Sequence, residues 1–249
     1  MGKRIDWKKI GKYAAFATAL GYVGFSLVAF SYSSESYACN DCNIRIQDSA
    51  TLRFVTPKEV YGFLKESEMN PSGVRVENID LMAIEKMLES KSRIKKAECY
   101  MTPSGTMNID VWQREPIMRV MSGSSNYYID SEGDVMEIAE NFAAYVPVVT
   151  GVVSKKFAKG ELYEFAKFLK SDAFWNSFFE QIDVNSKNEL VLVPRVGNQT
   201  IVLGSLNGYE TKLDNLMALY KTGFSKTGWS CYKTINLSFD GQVVCTKKN

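Results

Sequence analysis

Between Lys12 and Glu35 the chain carries no charged residue, and this gap of 22 positions constrains the fold more than any other feature of the sequence. Residues 13–32 read Tyr-Ala-Ala-Phe-Ala-Thr-Ala-Leu-Gly-Tyr-Val-Gly-Phe-Ser-Leu-Val-Ala-Phe-Ser-Tyr. Some twenty helical residues at about 1.5 Å rise cover roughly 30 Å, the thickness of a bilayer core. Tyr13 and Tyr32 stand at its two ends, where interfacial aromatics belong. Lys3, Arg4, Lys8, Lys9 and Lys12 precede the run, and no Lys or Arg follows it before Arg45. The positive-inside rule then puts the amino end in the cytoplasm and everything after Ser34 outside. The expected order is a basic cytoplasmic tail at 1–12, a transmembrane helix at 13–34 in contact with the lipid bilayer, and a polar linker at 35–43. A cleaved signal peptide is the alternative, because Ser36-Tyr37-Ala38 has the small-x-small form of a cleavage site. Against it, the apolar run exceeds the roughly 7–15 residues of a signal core. Ser36 also stands where a lipoprotein would carry a Leu-like residue before Cys39.

Composition excludes several classes of function. There is no histidine, so Ser-His-Asp and Cys-His catalysis are ruled out and the commonest metal ligand is missing. Residues 1–12 hold five basic and one acidic group, which leaves 25 basic against 27 acidic in the rest. So neutral a remainder lacks the electrostatic footprint of a nucleic-acid binder. Of the five cysteines, Cys39 and Cys42 form a C-x-x-C in a polar stretch without the helix amino end a redox motif would want, and no second pair completes a zinc site. Cys99 alternates with apolar neighbours and reads as core; Cys231 and Cys245 flank a strand-rich end where a bridge is one option. No cofactor is expected.

Beyond residue 43 the patterning is α+β. Ile44 and Ile46 begin a strand-like alternation. Thr56-Pro57-Lys58-Glu59 predicts a helix start: Thr56 as cap, Pro57 at the first helical position, Glu59 closing a capping box. Val60, Phe63 and Leu64 follow on one face, and Asn70-Pro71-Ser72-Gly73 ends the element. A second helix is expected from Asp80, with Leu81, Ile84 and Leu88 on one side. Strands are expected over 94–101 and 107–112, joined by the turn Thr102-Pro103-Ser104-Gly105. Residues 44–113 thus read β-α-α-β-β. From 114 to 249 the pattern becomes a mixed, mainly antiparallel β region with helices. Asp130-Ser131-Glu132-Gly133 predicts a hairpin. Strands are expected over 182–184, 190–193, 200–203, 234–239 and 242–246. Leu162, Phe165, Ala166 and Leu169 mark one helix, and Leu213, Leu216, Met217 and Tyr220 another.

Enzyme motifs fare poorly. Ser230-Cys231-Tyr232-Lys233, with Lys221-Thr222-Gly223 or Lys226-Thr227-Gly228, imitates the penicillin-binding set. Its nucleophile element comes last in the chain and runs into a strand, whereas that chemistry places it first, on a helix. Glu137 with Glu140 and Asp130 with Glu132 are neighbours of a kind that turns create for backbone reasons. A tethered extracytoplasmic chain without a catalytic constellation points to a binding module, and the last strand of a β domain offers an open edge to which a partner can add a strand.

The order of parts resembles the bacterial cell-division family FtsQ, or DivIB. Three strings carry the resemblance: Val-Trp-Gln-Arg-Glu-Pro-Ile at 111–117, Tyr-Tyr-Ile-Asp at 127–130 with Gly133, and the tail from Tyr232 to Val244. The Cys39/Cys42 pair departs from the family pattern. The resemblance implies a POTRA domain over 44–113 and a C-terminal β domain over 114–249. It implies a non-enzymatic divisome scaffold in the inner membrane at the septum, binding the bitopic proteins FtsB and FtsL and through them bearing on the synthase pair FtsW and FtsI. By position, the partner-binding residues would be Thr234, Ile235, Leu237, Phe239, Gln242, Val243 and Val244. With a period of two, only one alternating set of them can face a partner. An envelope assembly module that uses a POTRA-like domain to handle β-strand clients is the second reading.

Overall fold

The computed structural model describes residues 7–31, 37–224, 228, 231–239 and 241–248. Lys3 and Arg4, residues 32–34 of the expected span, linker residues 35 and 36, Lys226, Thr227, Ser230 and Asp240 lie outside the described residues. The chain divides into two compact units, one formed by residues 1–43, 71–80 and 101–107, the other by 44–70, 81–100 and 108–249.

The first unit contains helix α1, Trp7–Ser31. Its apolar side chains are open: Tyr13, Phe16, Leu20, Tyr22, Phe25 and Leu27 are all exposed. Among the described residues no helix is long and apolar enough to cross a membrane, so the span expected over 13–34 is not established by the fold. Beyond it, Cys39 is held on both sides, its N–H donating to Val74 O at 2.8 Å and its carbonyl accepting from Gly73 N at 2.8 Å. Asn40 N donates to Gly105 O at 2.9 Å. Gly105 adopts φ +82°, and a Cβ there would stand 3.1 Å from Ala38 O, so glycine answers both the turn and the close approach.

The predicted elements of the β-α-α-β-β stretch form. They are β1 Asp41–Ile46, α2 Pro57–Glu66, α3 Leu81–Glu89, β2 Ile94–Met101 and β3 Thr106–Gln113. The strands make a three-stranded sheet in the order β1-β3-β2. Thr56 caps α2 through the expected box: its hydroxyl accepts from Glu59 N at 3.3 Å, and Glu59 Oε2 accepts from Thr56 N at 2.8 Å. Val60 and Leu64 of α2, Ile84 and Leu88 of α3, and Ile109 and Val111 of β3 are buried. Gln113 is buried too, and it fastens the loop before α2. Its side chain donates to Asp48 Oδ1 at 2.7 Å and Leu52 O at 3.0 Å, and accepts from Val55 N at 2.8 Å.

The carboxyl part adds β4 Pro116–Ser122, β5 Ser125–Asp130, β6 Val135–Met136, β7 Val148–Gly151, α4 Lys155–Lys159, α5 Glu161–Ser171, α6 Ala173–Phe178, β8 Phe179–Val184, β9 Leu190–Pro194, β10 Thr200–Gly204, α7 Tyr209–Ala218, β11 Tyr232–Asn236 and β12 Val244–Lys247. The strands make one nine-stranded sheet, order β12-β11-β10-β9-β8-β7-β4-β5-β6. The pairs β4–β7, β7–β8 and β10–β11 are parallel and the rest antiparallel. Register explains the core. Tyr127, Val120, Val149, Ile182, Leu192, Ile201 and Ile235 lie in one row across the strands, and all seven are buried. Leu162, Phe165, Ala166 and Leu169 of α5 and Leu213 and Leu216 of α7 belong to the same cluster. The neighbouring row, Thr150, Asp183, Val191, Val202, Asn236 and Val244, is only partly covered or exposed, as period two requires.

Candidate functional site

The two ends of the nine-stranded sheet are built differently. At one end β6 is only two residues long, and Met136 within it is fully buried. The segment after it is tied down: Glu137 N donates to Ser92 Oγ at 3.4 Å, Ala144 N donates to Tyr128 Oη at 3.3 Å, and the Phe142 ring meets Phe54 edge-on with centroids 4.8 Å apart. A short, strapped edge resists strand addition. At the other end β12 offers four residues, roughly 14 Å of edge at about 3.4 Å per residue. Val244 is 43% exposed, and Thr246 and Lys247 are exposed.

The seven residues singled out in the tail separate into layers. Ile235 and Leu237 are closed into the core. Thr234 is half-buried on β11, between β10 and β12. Val243 packs part-buried against the core cluster. Phe239, Gln242 and Val244 are exposed. The strands are also shorter than the alternation suggested: β11 stops at Asn236 and β12 starts at Val244, so Phe239 and Gln242 belong to the connection. The Asn236 side chain causes the stop. Its Oδ1 accepts from Ser238 N at 2.9 Å and from the Ser238 hydroxyl at 2.7 Å, a local turn that competes with the ladder. Beside the turn, Leu237, Phe239 and Gln242 face Asn207, Gly208 and Lys212 across a cavity of about 220 Å³.

The other sequence candidates resolve into structural roles. Asp130 is buried; its Oδ1 accepts from the N–H groups of Glu132 and Asp134, and its Oδ2 accepts from Arg114 Nη1 at 2.7 Å. Its oxygens are engaged in holding the hairpin. Glu137 and Glu140 are exposed. Lys221-Thr222-Gly223 lies in a π-helical turn over Leu219–Gly223 rather than on a strand. Burial first, then the neighbouring Cys39 and Asp41, push the Cys42 thiol up to about 11, which removes the thiolate at neutral pH. Cys231 is exposed and Cys245 half-buried, with no disulfide between them. Register sets Cys245 opposite Ile235, while the Cys231 carbonyl accepts from Lys248 N.

One surface had no counterpart in the sequence reading. Phe174 and Phe178 of α6, Val196 after β9, Met217 of α7, and Tyr220 and Phe224 beyond it line an apolar groove of about 800 Å³. Its walls come from three separated stretches. The doublets Phe174-Trp175 and Phe178-Phe179 were the available signal, and they read equally well as core.

Two family models match the chain. One, described as FtsQ/DivIB, C-terminal related, covers residues 115–246, and one described as a POTRA-like domain covers residues 37–112. Among curated proteins no match was found.

Proposed function

The chain belongs to the FtsQ/DivIB family, and from that premise we propose that it is a membrane-anchored, non-enzymatic scaffold that binds FtsB- and FtsL-type bitopic proteins by strand addition to β12. Through them it bears on septal peptidoglycan synthesis by FtsW and FtsI. At the coarser level it is a division-associated protein carrying a POTRA-like domain. The observation that carries the finer reading is the asymmetry of the sheet, with one edge short and strapped and the other open at β12.

The layering of the tail gives each candidate a role. A partner strand pairs with the outer main chain of β12. Phe239, Gln242 and Val244 meet it with their side chains, while Thr234, Ile235, Leu237 and Val243 hold the edge rigid from behind. Anchoring falls to α1. Successive residues of a helix turn by about 100°, so Tyr22 and Phe25 point away from Tyr13, Phe16 and Leu20, and all five are exposed. Large apolar side chains exposed on opposite faces of an uncharged stretch favour a surrounding apolar medium. The amino-end lysines and the uncharged run support an orientation with the tail in the cytoplasm.

The test is titration of full-length protein in nanodiscs with the FtsB/FtsL-type pair. Phe239→Glu and Val244→Glu place charge at exposed positions, so the melting temperature should stay within a degree or two of wild type while affinity falls at least about tenfold, the effect of some 1.4 kcal/mol. Wild-type affinity in both variants would exclude this surface.

A further inference from the structure

The groove beyond the open edge carries a second contact. It is apolar where it is deep, with Phe178, Tyr220 and Phe224 in its wall and Val196 exposed on its lip. It is continuous with the edge through a run of rings: Phe178 to Tyr220 at 5.3 Å, Tyr220 to Phe224 at 5.1 Å, and Phe224 to Tyr232 at 5.2 Å between centroids. Tyr232 is in register with Lys247 at the far end of β12.

Four lysines border this path, against one acidic residue, Asp172, in the lining of the groove. Lys221 stands on the rim, and Lys233, Lys247 and Lys248 lie on or beside β11 and β12; all four are exposed. Among the described residues none of the four is within ion-pair distance of a carboxylate. Elsewhere on the same unit lysines find partners: Lys95 with Glu132 at 2.9 Å, Lys159 with Asp134 at 3.0 Å and Lys170 with Glu115 at 2.7 Å. Asp172, the acidic residue of the groove, is already occupied, since its Oδ1 accepts from Phe174 N and Trp175 N to cap α6. Cations without a carboxylate neighbour among the described residues, bordering an exposed apolar trough, select a partner segment that is apolar at its centre and acidic at its flanks.

We propose that the protein that adds a strand to β12 also seats an aromatic or large aliphatic anchor in the groove of Phe174, Phe178, Val196, Tyr220 and Phe224, with carboxylates beside the anchor facing Lys221, Lys247 and Lys248. This rests on the strand-addition reading of β12. The anchor follows the strand at its Lys247 end, where Tyr232 begins the run of rings that leads into the groove. Such a two-part grip raises affinity by effective concentration without enlarging either contact.

Photo-crosslinking in dividing cells separates the two readings. A benzophenone amino acid is placed at Val196 or at Val244 of the full-length protein, and the captured peptides are sequenced. The expected result is one protein captured at both positions, with the Val196 peptide bearing an apolar residue between Asp or Glu residues and lying next in sequence to the Val244 peptide. Capture at Val244 with none at Val196, or with a different protein or a second copy of this chain there, overturns the groove and leaves strand addition standing. Capture at Val196 alone, or at neither position, overturns both. Reversing the rim charges with Lys221→Glu and Lys248→Glu should cut the Val196 capture at least about fivefold without lowering the melting temperature. Undiminished capture in that variant overturns the acidic part of the assignment.

Discussion

Gly151 ends β7 with φ +89°, and a Cβ built there would lie 2.1 Å from Val184 O. That carbonyl belongs to the parallel neighbour β8 and accepts from Val152 N at 2.8 Å, so it cannot retreat without breaking the pairing. Gly151→Ala therefore combines a disfavoured backbone with a main-chain clash, and we expect a loss of about 3 kcal/mol or more, read from urea unfolding. A loss under about 1 kcal/mol would show that the strand end relaxes freely. A second residue-scale consequence concerns acid. Arg45 grips Asp110 through Nε at 2.7 Å and Nη2 at 2.9 Å, and this hydrogen-bonded guanidinium holds the Asp110 carboxyl below its ordinary range. Lys159, at 3.0 Å, does the same for Asp134. Both carboxyls have folded values below their unfolded ones. Their contribution is thus complete above the unfolded value near about 4, and it is lost as pH falls through the folded value. The double variant Asp110→Asn, Asp134→Asn should lose less stability between pH 5 and pH 2 than wild type, measured by urea midpoints. Acid limbs of equal slope would contradict this assignment.

At the scale of elements, helix α2 shows what local chemistry specifies. Thr56, Pro57 and Glu59 determine its start by contacts within four residues, so the start was legible in sequence and the reciprocal box is formed. Thr56→Ala should cost about 1 kcal/mol in unfolding free energy and Thr56→Ser much less; equal costs would mean that the hydroxyl does not cap. β2, β3 and the 125–136 hairpin were legible for the same reason, because alternation and turn residues are local signals. β7 was not. Its four residues pair in parallel with β4 on one side and β8 on the other, partners about thirty positions away in either direction. Nothing within Val148–Gly151 announces that arrangement. β4 carries no clear strand signal because Pro116 opens it and Arg119 interrupts its apolar run, yet Arg119 is accommodated on the part-covered face, over the Tyr128 ring. In the tail, alternation overruns the ends of the strands, because Asn236 and Ser238 look neutral to it until their side chains meet in a turn. The groove was invisible for a related reason: α6, the loop after β9 and the end of α7 contribute its walls, and only the folded sheet brings them together.

At the scale of the whole molecule, the anchoring reading of α1 and the open β12 edge make a joint demand. A scaffold that captures a bitopic partner gains most when both chains are held in one membrane plane, since tethering turns the second encounter into an intramolecular one. The amino end must then be cytoplasmic and uncleaved, and the tail must lie across the membrane from it. A fluorescent protein fused before Met1 tests this in dividing cells. We expect a band at mid-cell that appears before constriction and persists in Gly11-to-Leu27 helix variants that keep the run uncharged. Placing two lysines within the run, as in Leu20→Lys with Val23→Lys, should disperse the band, because charges near the centre of a span cost about 2.5–3.5 kcal/mol each on insertion scales. An even outline around the envelope would separate the chain from division while keeping the anchor. Diffuse cytoplasmic fluorescence would mean that the amino-terminal segment is released after residue 38 as a signal peptide, and the tethering argument would fall with it.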